Sequence, residues 1–234
     1  MPYVLPIIAF ILAATPFGLL IGRLVKGIDI REHGSGNIGT TNVFRILGKG
    51  PGILCLILDI LKGFLPVLLA INLLQFGDRE PLPNLPFLEP LRQTLPASQQ
   101  LFVQIIHVLT ALFAILGHNY SPWLAFKGGK GIATSAGVLI ALMPFAIIVL
   151  IIIFLLIFLT TRYVSLASII SASSLPLLTL WGSWHHNRIQ DGTWNIPLFI
   201  FSLIVAILAV WKHRSNIQRL RNGTENRFTK KKKN

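Results

Sequence analysis

Six long apolar runs alternate with short polar gaps along the chain: residues 3–21, 52–74, 101–117, 132–160, 164–181 and 196–211. A membrane-spanning helix needs about 20 apolar residues, so the pattern predicts a series of spans. The fourth run covers 29 residues and is interrupted at Met143-Pro144. Asp59 and Lys62 lie inside the second run, three apart, where they can share one helix face.

Charge sets the orientation of these runs. No Lys or Arg precedes the first, while Arg23 and Lys26 follow it, which favours an uncleaved first helix with its N-terminus outside. If residues 132–160 crossed once, Arg162 and a tail with nine Lys/Arg from Lys212 onward would fall outside, against the positive-inside rule. If that run turns near Pro144 and crosses twice, seventeen Lys/Arg lie inside and three (Arg79, Arg92 and Arg188) outside. The expected architecture is an all-α, polytopic integral membrane protein of about seven transmembrane helices. Its N-terminus is outside, its C-terminus is cytoplasmic, and residues 1–234 form a single membrane-embedded domain. Each half of the long run is then about 14 residues, or about 21 Å, short of the ~30 Å hydrocarbon core. A re-entrant pair is the variant of that arrangement. Residues 75–100, rich in proline and near neutral, read as an extended external loop. Residues 226–234 read as a basic cytoplasmic tail, the lysines at 230–233 serving only electrostatics.

Composition sharpens the class. Charged residues are 12% of the 234-residue chain and mean hydropathy is +0.68, against about a quarter charged in soluble domains. The single cysteine, Cys55, excludes a disulfide framework, and no Cys/His spacing suggests zinc. The net charge of +13 sits between apolar runs and in the tail, with no nucleic-acid-binding module, so no nucleic-acid partner is expected.

Three polar segments share the inside face. The first, residues 35–45, carries Ser35, Asn37, Thr41 and Arg45 among glycines. Glycines let backbone N–H groups approach an anion, and Arg can bind a phosphoryl group bidentately. A helix starting near Thr40 would aim Thr41 and Arg45 at one site; a glycine-rich turn with a Ser/Thr cap is the plainer alternative. The second, residues 117–134, holds Gly117-His118-Asn119 and then Lys127-Gly128-Gly129-Lys130-Gly131 at the mouth of an apolar helix. Two ammonium groups and loop amides at a helix N-terminus look like an anion cradle. It is not a Walker A loop, because Leu124 occupies the first glycine position and Gly131 follows Lys130. The third, residues 213–225, puts His213, Asn216 and Arg219/Leu220 on one face of a helix running on from the last span, ended by Gly223. A basic helix end lying on anionic lipid explains this segment equally well. Together the segments offer Arg, Lys, His, Ser, Thr and Asn with few carboxylates. That suits one or two phosphates and not a divalent cation, so no metal is expected.

These three motifs, with Asp59-Ile60-Leu61-Lys62-Gly63, closely resemble those of the bacterial acyl-phosphate:glycerol-3-phosphate acyltransferases of the PlsY type, over nearly the whole chain. The resemblance implies seven helices, an active site at the cytoplasmic face of the bacterial inner membrane, no cofactor and no metal. It implies acyl transfer from acyl phosphate to the 1-hydroxyl of sn-glycerol 3-phosphate, giving lysophosphatidic acid and phosphate. The expected catalytic residues are Lys130, Ser35, Arg45 and His118. Asn37, Thr41, Asn119, Lys127, Gly128, Gly129, Gly131, His213 and Asn216 are expected to bind substrate, with the Gly128 and Gly129 amides holding phosphoryl oxygens. The expected partners are the two substrates and the lipid bilayer, the protein acting as a monomer. The donor's own phosphate is the preferred proton acceptor over His118, without a covalent acyl-enzyme.

Two features lie outside this pattern. His186 and Asp191 fit the H-x-x-x-x-D motif of thioester-using acyltransferases, but topology puts them on the outer side. His107 lies within the third run, either a functional residue or a satisfied structural one. A phosphate transporter would use similar cationic loops, but would want midplane polar residues and a repeated architecture, neither of which is present.

Overall fold

A computed structural model describes residues 2–77, 80–81 and 83–228. Arg79 and the lysines at 230–233 lie outside the described residues. The chain divides into two compact units, Met1–Met143 and Pro144–Asn234.

In the first unit the opening apolar run makes one candidate span, Val4–Lys26, as expected, but interrupted into two helical segments, α1 (Val4–Ala13) and α2 (Phe17–Lys26). Pro16 is the reason. It has no N–H to give the Leu12 carbonyl, and the Thr15 hydroxyl donates there instead, at 3.0 Å. Two more carbonyls at the interruption draw side-chain donors from elsewhere in the chain. Ser121 Oγ donates to Ala14 O at 2.6 Å and Lys62 Nζ to Thr15 O at 2.9 Å. In hydrocarbon such groups must be satisfied internally.

Then follow α3 (Thr40–Leu47), α4 (Lys49–Leu73), α5 (Gln100–Asn119) and α6 (Ile132–Leu142). α4 and α6 meet backbone to backbone. A methyl group at Gly63 would strike the Thr134 carbonyl, and one at Gly137 the Ile60 carbonyl. Small residues at such contacts are what let membrane helices approach this closely. Beneath the loop from α2 to α3, Leu19, Ile21, Ile30, Ile38, Val43, Cys55 and Leu124 form one buried cluster.

The described residues of the segment 75–100 hold more regular structure than the extended loop expected. Strands β1 (Leu74–Phe76) and β2 (Gln93–Leu95) pair in parallel, the one exception to helix among the described elements. Asn72, buried near the end of α4, donates to Pro83 O at 3.1 Å, accepts from the Leu85 N–H at 2.8 Å, and offers its carbonyl to Arg92 Nε at 3.2 Å.

The second unit contains α7 (Pro144–Thr161), α8 (Val164–His185), α9 (Ile196–Lys212) and α10 (Arg214–Arg221). The long run breaks at Met143-Pro144 as expected, but unequally, into 11 residues of α6 and 18 of α7. The last helix does not run straight on; it bends by 55° at His213. Gly223 ends α10 as expected. At φ +69° it lets its own N–H reach Leu220 O and the Thr224 N–H reach Arg219 O, the paired bonds of a Schellman cap. Among the described residues five helical stretches are long and apolar enough to cross a membrane, or six if α9 and α10 count as one span. At 11 residues α6 is about 16 Å long and falls short.

Candidate active site

The first polar segment is organised by a residue the sequence did not single out. Asn42, fully buried, shares its two Nδ2 hydrogens among Ile30 O, His33 O and Asn37 O and accepts the Ser35 N–H at 2.9 Å. One side chain therefore shapes the whole loop ahead of α3. Its signal was an Asn in a first helical turn, where a side-chain amide can reach the preceding loop. The helix starts at Thr40 as expected, but its cap is Gly39 and no Ser or Thr. Asn37 folds its Oδ1 onto the Gly39 N–H at 2.8 Å. Thr41 and Arg45 stand one turn apart on α3, with Arg45 and Ser35 exposed. Upstream, the Arg31 guanidinium grips Asp29 and holds its carboxyl down to about 2.

The second segment is a tight loop wound on the end of α5. Ala125 and Phe126 take left-handed backbone (φ 48° and 61°), and the Phe126 N–H closes on Ser121 O at 2.9 Å. Lys127 is exposed, Lys130 half-buried, and Gly131 (φ +78°) leads into α6. One expectation is corrected here. The Gly129 N–H does not face outward for a phosphoryl oxygen; it donates to the His118 carbonyl at 3.1 Å.

Behind the loop lies a buried polar node. Asp59 Oδ1 is 2.8 Å from Lys62 Nζ and 3.7 Å from His118 Nδ1, all three side chains at most 4% exposed. Cys55 Sγ lies 3.7 Å from Asp59 Oδ2 and 3.8 Å from Thr40 Oγ1, which extends the node to the start of α3. Lys62 also sits over the Phe17 ring at 5.4 Å. The pairing of Asp59 with Lys62 was legible from their spacing. The part taken by His118 was not, because it depends on how α5 packs on α4.

In the second unit His213 and Asn216 are buried. His213 Nδ1 donates to Ala209 O at 2.7 Å. Asn216 Nδ2 donates to Glu225, at 2.7 Å, as do Arg219 Nε at 2.7 Å and Ser165 Oγ at 2.8 Å. Glu225, which sequence reasoning left without a role, thus straps the chain after α10 onto α8. Burial raises its pKa, but the three donors outweigh this and hold the carboxyl below its ordinary range. A depressed carboxyl contributes stability that is present above the unfolded pKa and lost as pH falls through the folded one. Acidification through the depressed folded pKa, below the ordinary glutamate range, is therefore expected to release residues 222–228. Limited proteolysis at falling pH should detect the release, and Glu225→Gln should cut early at neutral pH.

The remaining histidines resolve simply. His107 Nε2 bonds the Leu74 carbonyl at 2.9 Å, a structural role. His186 and Asp191 sit exposed in the turn between α8 and α9, the His186 ring edge-on to His185.

Fold and loops together define a helical integral membrane protein whose basic, glycine-rich loops suit phosphate-bearing molecules. A family model described as glycerol-3-phosphate acyltransferase matches residues 3–223. A glycerol-3-phosphate acyltransferase of Desulforudis audaxviator is 42% identical over 224 residues, covering 95% of this chain and 93% of its own. One from Geotalea daltonii is 42% identical over 225 residues and 96% of each chain. The crystal structure of PlsY (YgiH), an integral membrane glycerol 3-phosphate acyltransferase in its glycerol 3-phosphate form, superposes with a TM-score of 0.76 at 34% identity. It covers 97% of this chain and 96% of that one; the lysophosphatidic acid form gives 0.74. The chain belongs to the PlsY-type glycerol-3-phosphate acyltransferase family, membrane enzymes of lipid biosynthesis.

Proposed function

We propose that the protein transfers a fatty acyl group from acyl phosphate to the 1-hydroxyl of sn-glycerol 3-phosphate. The hydroxyl oxygen attacks the acyl carbon, the carbon–oxygen bond to phosphate breaks, and lysophosphatidic acid and inorganic phosphate leave. The observation that carries this reading is the loop 127–131, with two lysines, at the N-terminus of α6. Lys130 neutralises charge growing on the leaving phosphate, with Lys127 and the Gly128 amide beside it and Gly131 turning the chain into α6. Ser35, Asn37, Thr41 and Arg45 hold a second phosphoryl group. Asn119 lines the cradle from the end of α5. By their motif, His213 and Asn216 are assigned to glycerol phosphate binding. The related crystal structures, in glycerol 3-phosphate and lysophosphatidic acid forms, support this choice of acceptor and product.

The proton goes to the donor's own phosphate oxygen. The burial of His118, with Asp59 on one side of its ring and Gly129 on the other, favours this over a histidine base. No covalent acyl-enzyme forms and no cofactor or metal takes part. The distribution of Lys and Arg supports seven spans with the N-terminus outside and this site facing the cytoplasm; the protein acts as a monomer with a single membrane-embedded domain in the bacterial inner membrane.

The test is phosphate release by purified protein given palmitoyl phosphate and glycerol 3-phosphate in lipidic mesophase with EDTA. Release that needs glycerol 3-phosphate and survives His186→Ala is expected. Activity with acyl-CoA alone, lost in His186→Ala, would overturn the reading.

A further inference from the structure

The geometry points to His118 as a positioning residue, the form on which the loop 127–131 is wound. This rests on the reading that the loop holds phosphate. Glycines at 128, 129 and 131 invite explanation as room for a ligand, yet the space beside each is filled from within the protein. A methyl group on Gly128 would run into the His118 carbonyl, and one on Gly129 into His118 Nε2. One on Gly131 would come within 2.6 Å of Asn119 Oδ1.

The ring cannot swing aside to admit a methyl. His118 is 3% exposed, its Nδ1 faces Asp59 at 3.7 Å, and Asp59 is itself held by Lys62 at 2.8 Å. The Gly129 N–H meanwhile bonds the His118 carbonyl at 3.1 Å. The loop is therefore glycine-rich because it lies backbone against ring on the last turn of α5. Its glycines seat it firmly where, in water, they would loosen it. Lys130 falls between two of these contacts, so His118 fixes the stem from which that ammonium reaches. Asp59 acts one step further back, by fixing His118.

A catalytic histidine and a template make opposite predictions when the obstruction is removed. Full-length Gly129→Ala, Gly128→Ala and His118→Ala, and each glycine variant combined with His118→Ala, are compared for phosphate release and thermal midpoint in detergent. Displacing a binding group by about 1 Å can cost about 100-fold. Gly129→Ala is expected to lose about that in kcat/KM and to melt earlier, and His118→Ala to lose less. The Gly129→Ala/His118→Ala double variant should recover at least tenfold over Gly129→Ala, to the level of His118→Ala, with its melting point restored. Gly128→Ala should not be rescued, because its obstacle is a backbone carbonyl that His118→Ala leaves in place.

A double variant no more active and no more stable than Gly129→Ala would overturn the proposal, and so would failure of both to fold. Failure of Gly129→Ala alone, with the double variant folded, counts for it. The melting arm needs no substrate. If wild type does not turn over palmitoyl phosphate yet the double variant recovers stability, the donor reading fails and this inference stands.

Discussion

Lys130→Ala should abolish most acyl transfer, lowering kcat by about 10²–10³-fold, the usual cost of removing one group that stabilises transition-state charge. Lys130 is half-buried in a loop pinned to α5, so its charge is screened less than that of the exposed Lys127. Negative charge on the departing phosphate grows only as the acyl–oxygen bond breaks. The loss should therefore appear equally in kcat and kcat/KM, the pattern of an interaction made in the transition state. Lys127 is exposed, and its loss should be smaller and should fade at high salt. Lys130→Arg keeps the charge but replaces a compact point charge with a broad fork, and restores only part of the rate. Steady-state phosphate release over a range of donor concentrations separates these cases. A Lys130→Ala enzyme with more than half the wild-type kcat would remove the loop from the chemistry.

Lys62→Met should destabilise the protein by about 3–5 kcal/mol, the penalty for leaving a buried charge without its partner. At about 2–4 °C per kcal/mol for a chain of this size, the thermal midpoint falls by on the order of 10 °C. Two groups lose this partner together: the Asp59 carboxylate, and the Thr15 carbonyl at the break between α1 and α2, which keeps only the Phe17 N–H at 3.1 Å. Adding Asp59→Asn removes the charge and should recover most of the loss, since a buried ion pair replaced by neutral groups is often near neutral overall. Differential scanning fluorimetry in detergent measures both steps. If the double variant melts as early as Lys62→Met, the Thr15 carbonyl and not the ion pair is what Lys62 serves.

What the sequence made legible follows from local rules. Spans show as runs of apolar residues, Pro144 marks the division between α6 and α7, and Gly223 stops α10, because each signal acts within a turn or two of its own position. The start of α3 at Thr40 was readable for the same reason. The break at Pro16 was locally readable as well, since proline removes an N–H wherever it stands, but the length of the apolar run masked it. Asn42, Glu225 and the neighbours of His118 belong to another kind of information. Asn42 reaches back 12 residues to Ile30, and Glu225 reaches 60 residues to Ser165. His118 meets Asp59 only because α5 packs on α4. A list of phosphate-binding residue types therefore found the loops and missed the side chains that shape them.

The contact between α4 and α6 also bears on how the chain is made. At about 16 Å, α6 is too short for the bilayer to retain as an independent span. Gly63 and Gly137 let it lie directly on the backbone of α4, which supplies the surface that lipid cannot. Synthesis runs from the N-terminus, so α4 has left the ribosome before α6 emerges. The nascent chain thus carries its own receiving surface for the helix that bears the cradle. Membrane integration of that helix and seating of the proposed phosphate loop are thereby coupled, and a bulkier residue at Gly63 or Gly137 is expected to impair both.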